Sequence, residues 1–369
     1  MSKQRNRDKI TDIAKGVGIF LVVCLHSGLA FLTGVDMPLF FLISGFFAPS
    51  LVKYSFWGGV EKKTLTLLLP TLKYLIFFGI LSYLAPLLPK SGIPQHSFWH
   101  FLTPEQLIIN PLFYQPQQYF AITLWFVSAL WMGMLLWLVL RYLIEPKLEN
   151  KAFSCFLVFM LVGVYFSSIN GPSLDQNIFI GCLGRAIYAF VFISFGFVLS
   201  SYKQSLLYGN LRLIVFVLGC IAIYWKIRYW NGLPIADVRT MSFDNFYKTR
   251  SIFVSFCGIA FIFAVSIIIA RFELLARITD YLGAKSFHIM ALHPLGIFLF
   301  SWIMRLCGIE VTPGNCSIIF KIGFLLSGLL FSLLCIKTWD ITVALRNKYA
   351  EEKNNSVNPN SLLFSKVSE

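Results

Sequence analysis

The chain has 369 residues, of which 57% are hydrophobic and only 13% charged, and its mean hydropathy is +0.73. So few charges cannot cover the surface of a water-soluble enzyme, which leaves a protein whose solvent is mostly lipid. The net charge of +14 then serves to orient helices in a bilayer, and nucleic acid is not expected as a partner.

The first nine residues are polar and basic, and the apolar run after them is too long for the h-region of a cleaved signal, so the first helix is expected to stay in the protein. A crossing needs about 20 mostly apolar residues at ~1.5 Å rise each. Ten spans are predicted on that basis: 13–33, 37–56, 65–88, 121–140, 153–169, 178–199, 211–230, 251–270, 287–307 and 318–338. The expected fold is all-α, a polytopic integral membrane protein. Its membrane domain covers 13–338, between a basic segment 1–12 and a polar, disordered tail 339–369. Ten spans put both termini on one side, where 20 basic residues fall against eight on the other. The positive-inside rule makes that side cytoplasmic.

Between the spans, the outer segment 89–120 carries Phe98-Trp99-His100-Phe101-Leu102, which has the character of a piece lying in the membrane interface. The outer segment 226–250 holds Lys226, Arg228, Arg239, Lys248 and Arg250 against only Asp237 and Asp244. Those cations suit an anionic acceptor, or equally the phosphates of outer-leaflet lipid. The eight cysteines are scattered without a Cys-x-x-Cys pair and resemble small buried hydrophobes. Cys307 and Cys316 flank one outer loop, and spacing leaves open whether they pair. His96 and His100 have i,i+4 spacing but no obvious third ligand, so no metal site is expected.

Ionisable residues inside the predicted spans are Lys15, His26, Lys73, Arg185, His288 and His293. Each costs about 2.5–3.5 kcal/mol at membrane depth on the insertion scale, so each is a candidate for function. Lys15 and His26 are eleven residues apart, about three turns, and so share a face of the first helix at ~16 Å separation. They suit either a functional line down a shared channel or a snorkelling lysine above a packed histidine. A neutral histidine at depth can accept a proton.

The stretch from Asp12 through Lys15 to His26, followed by Met37-Pro-Leu-Phe-Phe-Leu-Ile-Ser-Gly-Phe46, resembles the opening of the family-three membrane acyltransferases, in particular the branch called fucose 4-O-acetylase-like. Further pieces fit in order: Lys62-Lys63 before Leu67-Leu-Leu-Pro70, Leu124-Trp-Phe126, Gly184-Arg-Ala-Ile-Tyr188, and Leu282 through His293 to Pro294. The resemblance implies about ten spans and transfer of an acyl group, often acetyl, from cytoplasmic acetyl-CoA to a carbohydrate hydroxyl at the outer side. It makes His26 the catalytic histidine and assigns Lys15, Lys62 and Lys63 to the acyl-CoA donor. Three positions depart from the pattern. Asp36 and Thr123 stand where the family often has histidine, and Thr66 stands where a second basic residue is expected.

The function expected is therefore membrane O-acyltransfer, with His26 as general base, to a cell-surface or lipid-linked saccharide. Acetyl-CoA enters as donor substrate, with no permanently bound cofactor. Asp36 is either a partner of His26 or an acidic residue favoured by the helix dipole at the start of the second span. Ser44 and Trp125 are candidates for stabilising the oxyanion, and Arg185, Arg239 and His293 for contacting the acceptor. Beyond membrane lipid, the donor and the acceptor, no partner is implied. The resemblance favours a bacterial inner membrane. A glycolipid transporter or flippase, or a scaffold that has lost catalysis, would use the same cavity without a base.

Overall fold

The computed structural model describes residues 8–29, 35–51, 53–113, 118–148, 178–209, 211–229 and 245–357. Among them the chain is helical, and the only extended pairing is a single bridge between Thr312 and Asn315. The helices are α1 (Lys9–His26), α2 (Asp36–Phe46), α3 (Phe56–Leu87), α4 (Phe98–Leu102), α5 (Asn110–Phe113), α6 (Trp125–Leu148), α7 (Ile178–Ser200), α8 (Lys203–Tyr208), α9 (Arg212–Tyr229), α10 (Asn245–Ile269), α11 (Glu273–Ala284), α12 (Ser286–Leu306) and α13 (Ile318–Val357). Four described helices are long and apolar enough to cross a membrane: Phe56–Leu87, Ile122–Leu143, Ser286–Leu306 and Ile318–Ala350. Their outward faces suit lipid: on α13, Leu326, Leu330 and Leu334 recur every four residues and are 50%, 63% and 64% exposed, a stripe that water would not tolerate. The predicted span 153–169 lies outside the described residues.

α1 is the central helix, packed against α2, α10, α11, α12 and α13, and most of its residues from Ile10 to Cys24 are buried, Phe20 being exposed. It begins where Asp8 caps it, the carboxylate accepting from the Thr11 backbone N–H. It ends at His26 rather than running on to Thr33 as the hydropathy predicts. Gly28, at φ +80°, turns the chain into the left-handed region. The Leu29 N–H then donates to the Cys24 carbonyl at 2.8 Å and the Gly28 N–H to the Leu25 carbonyl at 3.1 Å, the paired bonds of a Schellman stop. The second predicted span is also shortened. α2 has 11 residues, about 16 Å of helix, and gives way to a 3₁₀ turn over Ala48–Leu51.

Close approach fixes the neighbours of α1 and α2. A Cβ at Gly16 would stand 1.9 Å from the Thr279 carbonyl oxygen, and one at Gly283 would stand 1.9 Å from that of Asp12. α1 and α11 therefore touch backbone to backbone. Gly45 and Gly196 do the same for α2 and α7, at 2.1 Å from the carbonyls of Ile193 and Leu42. Small residues at crossings are how membrane helices gain contact when burial from water contributes little.

α3 starts nine residues before its predicted span, so Lys62 and Lys63 lie inside the helix instead of ahead of it. Thr64–Leu68 winds as a π-turn in which the Leu69 N–H reaches back to the Thr64 carbonyl. Pro70 explains the turn: it has no N–H and its ring would collide with the Thr66 carbonyl of a regular helix. At the other end of the chain, α13 continues through 339–357 as helix, exposed over 339–350, where the composition suggests irregular chain. Cys307 and Cys316 are both free thiols.

Asp8 also ties the start of α1 to α8. Its carboxylate meets Lys203 Nζ at 2.5 Å and accepts from Tyr208 Oη at 2.7 Å and Thr11 Oγ1 at 2.8 Å. Burial alone would raise the Asp8 carboxyl, but the bonds from Lys203, Tyr208 and Thr11 outweigh it and hold the group below its ordinary 3.8. Burial and the adjoining Asp8 push the Tyr208 phenol up to about 12.

Two outcomes follow. Gly16→Ala should lower stability by about 1–3 kcal/mol, the usual cost of overpacking, because the new methyl meets backbone that has no rotamer to yield. Gly314→Ala, with nothing within 4 Å, should leave thermal unfolding in detergent unchanged. Because the folded Asp8 carboxyl is depressed, its contribution is complete above the unfolded value near 4 and is lost as pH falls through the lower folded value. Wild type should therefore lose stability as the pH falls below about 4. Asp8→Asn should be less stable at pH 7 and lack that loss in melting curves measured across the range.

Candidate active site

Two histidines from distant parts of the chain meet at the end of α1. His26 occupies the last turn, placed there by the Gly28 stop, and its ring is exposed, whereas His293 on α12 is 0% exposed. His26 Nδ1 lies 2.7 Å from His293 Nε2, with ring centroids 4.9 Å apart and planes inclined by 30°. His293 Nδ1 lies 3.0 Å from the Ile289 carbonyl oxygen.

These contacts fix the tautomers. A carbonyl oxygen only accepts, so His293 Nδ1 carries the hydrogen, and in a neutral ring Nε2 then holds the lone pair. His26 Nδ1 must donate to it. Neutral His26 consequently presents its own lone pair at Nε2, where a substrate proton can be taken. The carbonyl end of α1 beside the ring favours the positive charge that such a transfer creates.

The backbone around His293 is held by an unusual arrangement. Pro294 lies within α12 and has no N–H to offer the Met290 carbonyl one turn back. Thr123 Oγ1 donates to that carbonyl at 3.0 Å. The residue that departs from the family pattern thus satisfies an acceptor beside His293, and it fixes the entry of α6 against α12.

The remaining predicted residues are distributed over several helices. Asp36 is buried in the first turn of α2. Ser44 Oγ donates to the Phe40 carbonyl at 2.8 Å, so its hydrogen serves its own helix and not an oxyanion. Trp125 is half-buried at the start of α6, and Arg185 on α7 is 8% exposed. Arg239 lies outside the described residues, as do 230–244 of the basic outer segment. His96 and His100 stack at 5.3 Å, and among the described residues no group of three or more His, Cys, Asp or Glu is placed to hold a metal ion.

Lys15 is eleven residues before His26, at the other end of α1. It pairs with Asp12 at 2.8 Å and sits 5.0 Å above the Phe47 ring. Lys203 lies 4.8 Å from the same ring, a second cation that the sequence did not single out. Lys62 donates to Tyr54 Oη at 2.7 Å, and this bond draws the Tyr54 phenol below its ordinary value. Lys63 is half-buried next to the π-turn, which Trp131 braces through its indole N–H to Thr64 Oγ1 at 3.1 Å. Tyr74 Oη and His288 Nδ1 form a further pair at 2.8 Å between α3 and α12. No sequence signal marks that pair, because its members are 214 residues apart.

Comparison with known proteins gives this geometry a context. A search of curated proteins and a search of solved structures each find no match. The family model described as an acyltransferase domain matches residues 9–337, from the first residue of α1 into the last apolar helix. The match includes His26 and His293 and both ends of the bundle, and the apolar helices agree with residence in a membrane. The chain belongs to the family-three acyltransferases and is a membrane acyltransferase.

Proposed function

We propose that this protein moves an acyl group, acetyl being the simplest, from cytoplasmic acyl-CoA to a hydroxyl of a cell-surface or lipid-linked carbohydrate, with His26 as general base. The observation that carries the reading is the hydrogen bond from His26 Nδ1 to His293 Nε2. It turns the lone pair of His26 to Nε2 on a ring that remains exposed.

In the reaction, His26 Nε2 takes the hydroxyl proton as the sugar oxygen attacks the thioester carbonyl carbon. The tetrahedral intermediate collapses with cleavage of the carbon–sulfur bond, and the imidazolium returns its proton to the departing thiolate. The products are the sugar ester and free thiol. His293 is the positioning residue: it accepts from Nδ1 throughout and keeps the ring in one tautomer, as the third member of a nucleophile–base–orienter set does. Asp36 is proposed to add negative potential from the start of α2, and Trp125 and Arg185 to contact the acceptor.

Lys15, Lys62 and Lys63 would hold the donor's phosphates, with Lys203 beside Lys15. The ~16 Å along α1 from Lys15 to His26 is spanned by the long pantetheine arm of the thioester. On this reading the donor enters from the cytoplasmic side and the acceptor at the His26 end, in a ten-span arrangement with both termini cytoplasmic in a bacterial inner membrane. The fucose 4-O-acetylase-like branch fits the same residues.

Surface glycans from cells expressing wild type, His26→Gln, His293→Leu or His293→Gln at equal levels, and from a deletion strain, test the reading by mass spectrometry and initial rates. Wild type alone should restore the full acetyl mass, and His26→Gln should lose roughly 10²–10⁴-fold of the rate. His293→Leu should lose about 10- to 100-fold, as for a hydrogen bond to a group that becomes charged. His293→Gln, which can still accept, should retain more activity than His293→Leu. Acetylation undiminished in His26→Gln would exclude the mechanism. Acetylation unchanged by deletion, with less surface glycan and lipid-linked saccharide retained on the inner face, would instead favour transport.

A further inference from the structure

At the His26 end of the bundle, the chain builds a polar cavity whose lining includes neither His26 nor His293. Its volume is about 650 Å³, and Lys90, Gly92, Arg305, Glu310, Thr312 and Asn315 line it. The size falls within the range of small-molecule sites. Its cations come from two separate elements, the turn after α3 and the last turn of α12.

The construction is specific. Lys90 has φ 57° and is the only non-glycine residue at positive φ among the described residues, a conformation that persists only where the surroundings impose it. Arg305 Nη1 donates to the Ser91 carbonyl at 2.5 Å. Gly92, at φ +71°, makes room for it: a Cβ there would stand 1.9 Å from that same Nη1. Lys90 Nζ reaches the Arg305 carbonyl at 3.5 Å, and Trp302 donates its indole N–H to the Pro89 carbonyl at 2.9 Å. The 89–92 turn is thereby fastened to α12 with two cations beside the cavity.

The opposite wall is the tight turn closed by the Thr312–Asn315 bridge. This turn rests on the end of α1, since a Cβ at Gly28 would stand 1.9 Å from the Pro313 carbonyl oxygen. Gly28 is two residues beyond His26. The cavity and the catalytic pair therefore share one end of the bundle and one backbone support.

We propose that this cavity binds the acceptor, and that the acceptor is an anionic saccharide, a sugar phosphate or a sugar acid. Lys90 and the remaining N–H groups of Arg305 pair with the anionic group. Glu310 accepts from sugar hydroxyls, and Thr312 and Asn315 offer neutral partners. A lone phosphate would have no use for Glu310, and a neutral sugar would leave two cations facing the single carboxylate of Glu310. This inference rests on the acyltransfer reading only for the word acceptor; the binding itself can be measured without catalysis.

The test uses the full-length protein in phosphatidylcholine nanodiscs, titrated with glucose 1-phosphate, glucuronic acid and glucose by ligand-observed NMR. At least one charged sugar should bind about tenfold or more tightly than glucose, and Lys90→Glu should remove that preference. Glu310→Gln should weaken all three sugars. Equal binding of glucose and both charged sugars would overturn the proposal, as would a preference that survives Lys90→Glu. Nanodiscs containing phosphatidylglycerol distinguish the source of the anion: displacement of the charged sugars by that lipid would make the cavity a headgroup site and also overturn it. Sugar binding retained without acyl transfer would sink the proposed function alone. Acyl transfer to a neutral glycan with no sugar preference would sink this inference alone.

Discussion

The hydrogen bond between His26 and His293 depends on a carbonyl that cannot donate. Ile289 requires the hydrogen on His293 Nδ1, which makes Nε2 an acceptor, and His26 must then donate from Nδ1. The position of the lone pair on the exposed ring is set by a backbone group two steps away. Everything that positions α12 therefore bears on the chemistry. Pro294 prevents the Met290 carbonyl from making its helical bond, and Thr123 supplies the missing donor. A second support comes from Ser327, which donates to the Gly296 carbonyl at 2.8 Å and joins α12 to α13 just past the proline.

α1 carries the other half of the site, and its geometry organises the molecule. Its flank is stripped to glycine at Gly16, so that α11 lies against its backbone, and its end is fixed by Gly28, on which the Thr312–Asn315 turn rests. One rigid helix thus connects a basic, aromatic end, where Lys15 and Lys203 share the Phe47 ring, to the histidine pair. On the proposed reading, the donor is recognised at one end and the acceptor at the other. Fixing both ends on one buried helix is a physical way to keep their separation constant.

Much of this was open to inspection in the sequence. The apolar runs at 121–140, 287–307 and 318–338 are helices, and the Asp12–Lys15 ion pair follows from i,i+3 spacing. The stop of α1 was also readable, since Ser27-Gly28 is an ordinary helix-ending signal that hydropathy averaging conceals. Pro70 and Pro294 likewise foretell irregular backbone, although only the structure shows a π-turn at one and a donated threonine hydroxyl at the other. The pairing of His26 with His293 was not available, because the residues are 267 positions apart and periodicity constrains only neighbours on one helix. For the same reason nothing in the sequence ties Lys203 to Lys15, although both lie against the Phe47 ring. Asp36 and Ser44 drew attention through their position in a motif, which conveys nothing about the atoms their side chains bond.

The most direct test of the account is the tautomer of His26. The chain contains five histidines, so ¹⁵N-histidine labelling with His26→Gln and His293→Gln as assignment controls can resolve the ring nitrogens by NMR in detergent or nanodiscs at neutral pH. The account predicts that His26 carries its hydrogen on Nδ1 and is unprotonated at Nε2. A His26 ring with its hydrogen on Nε2 and the lone pair on Nδ1 would contradict it.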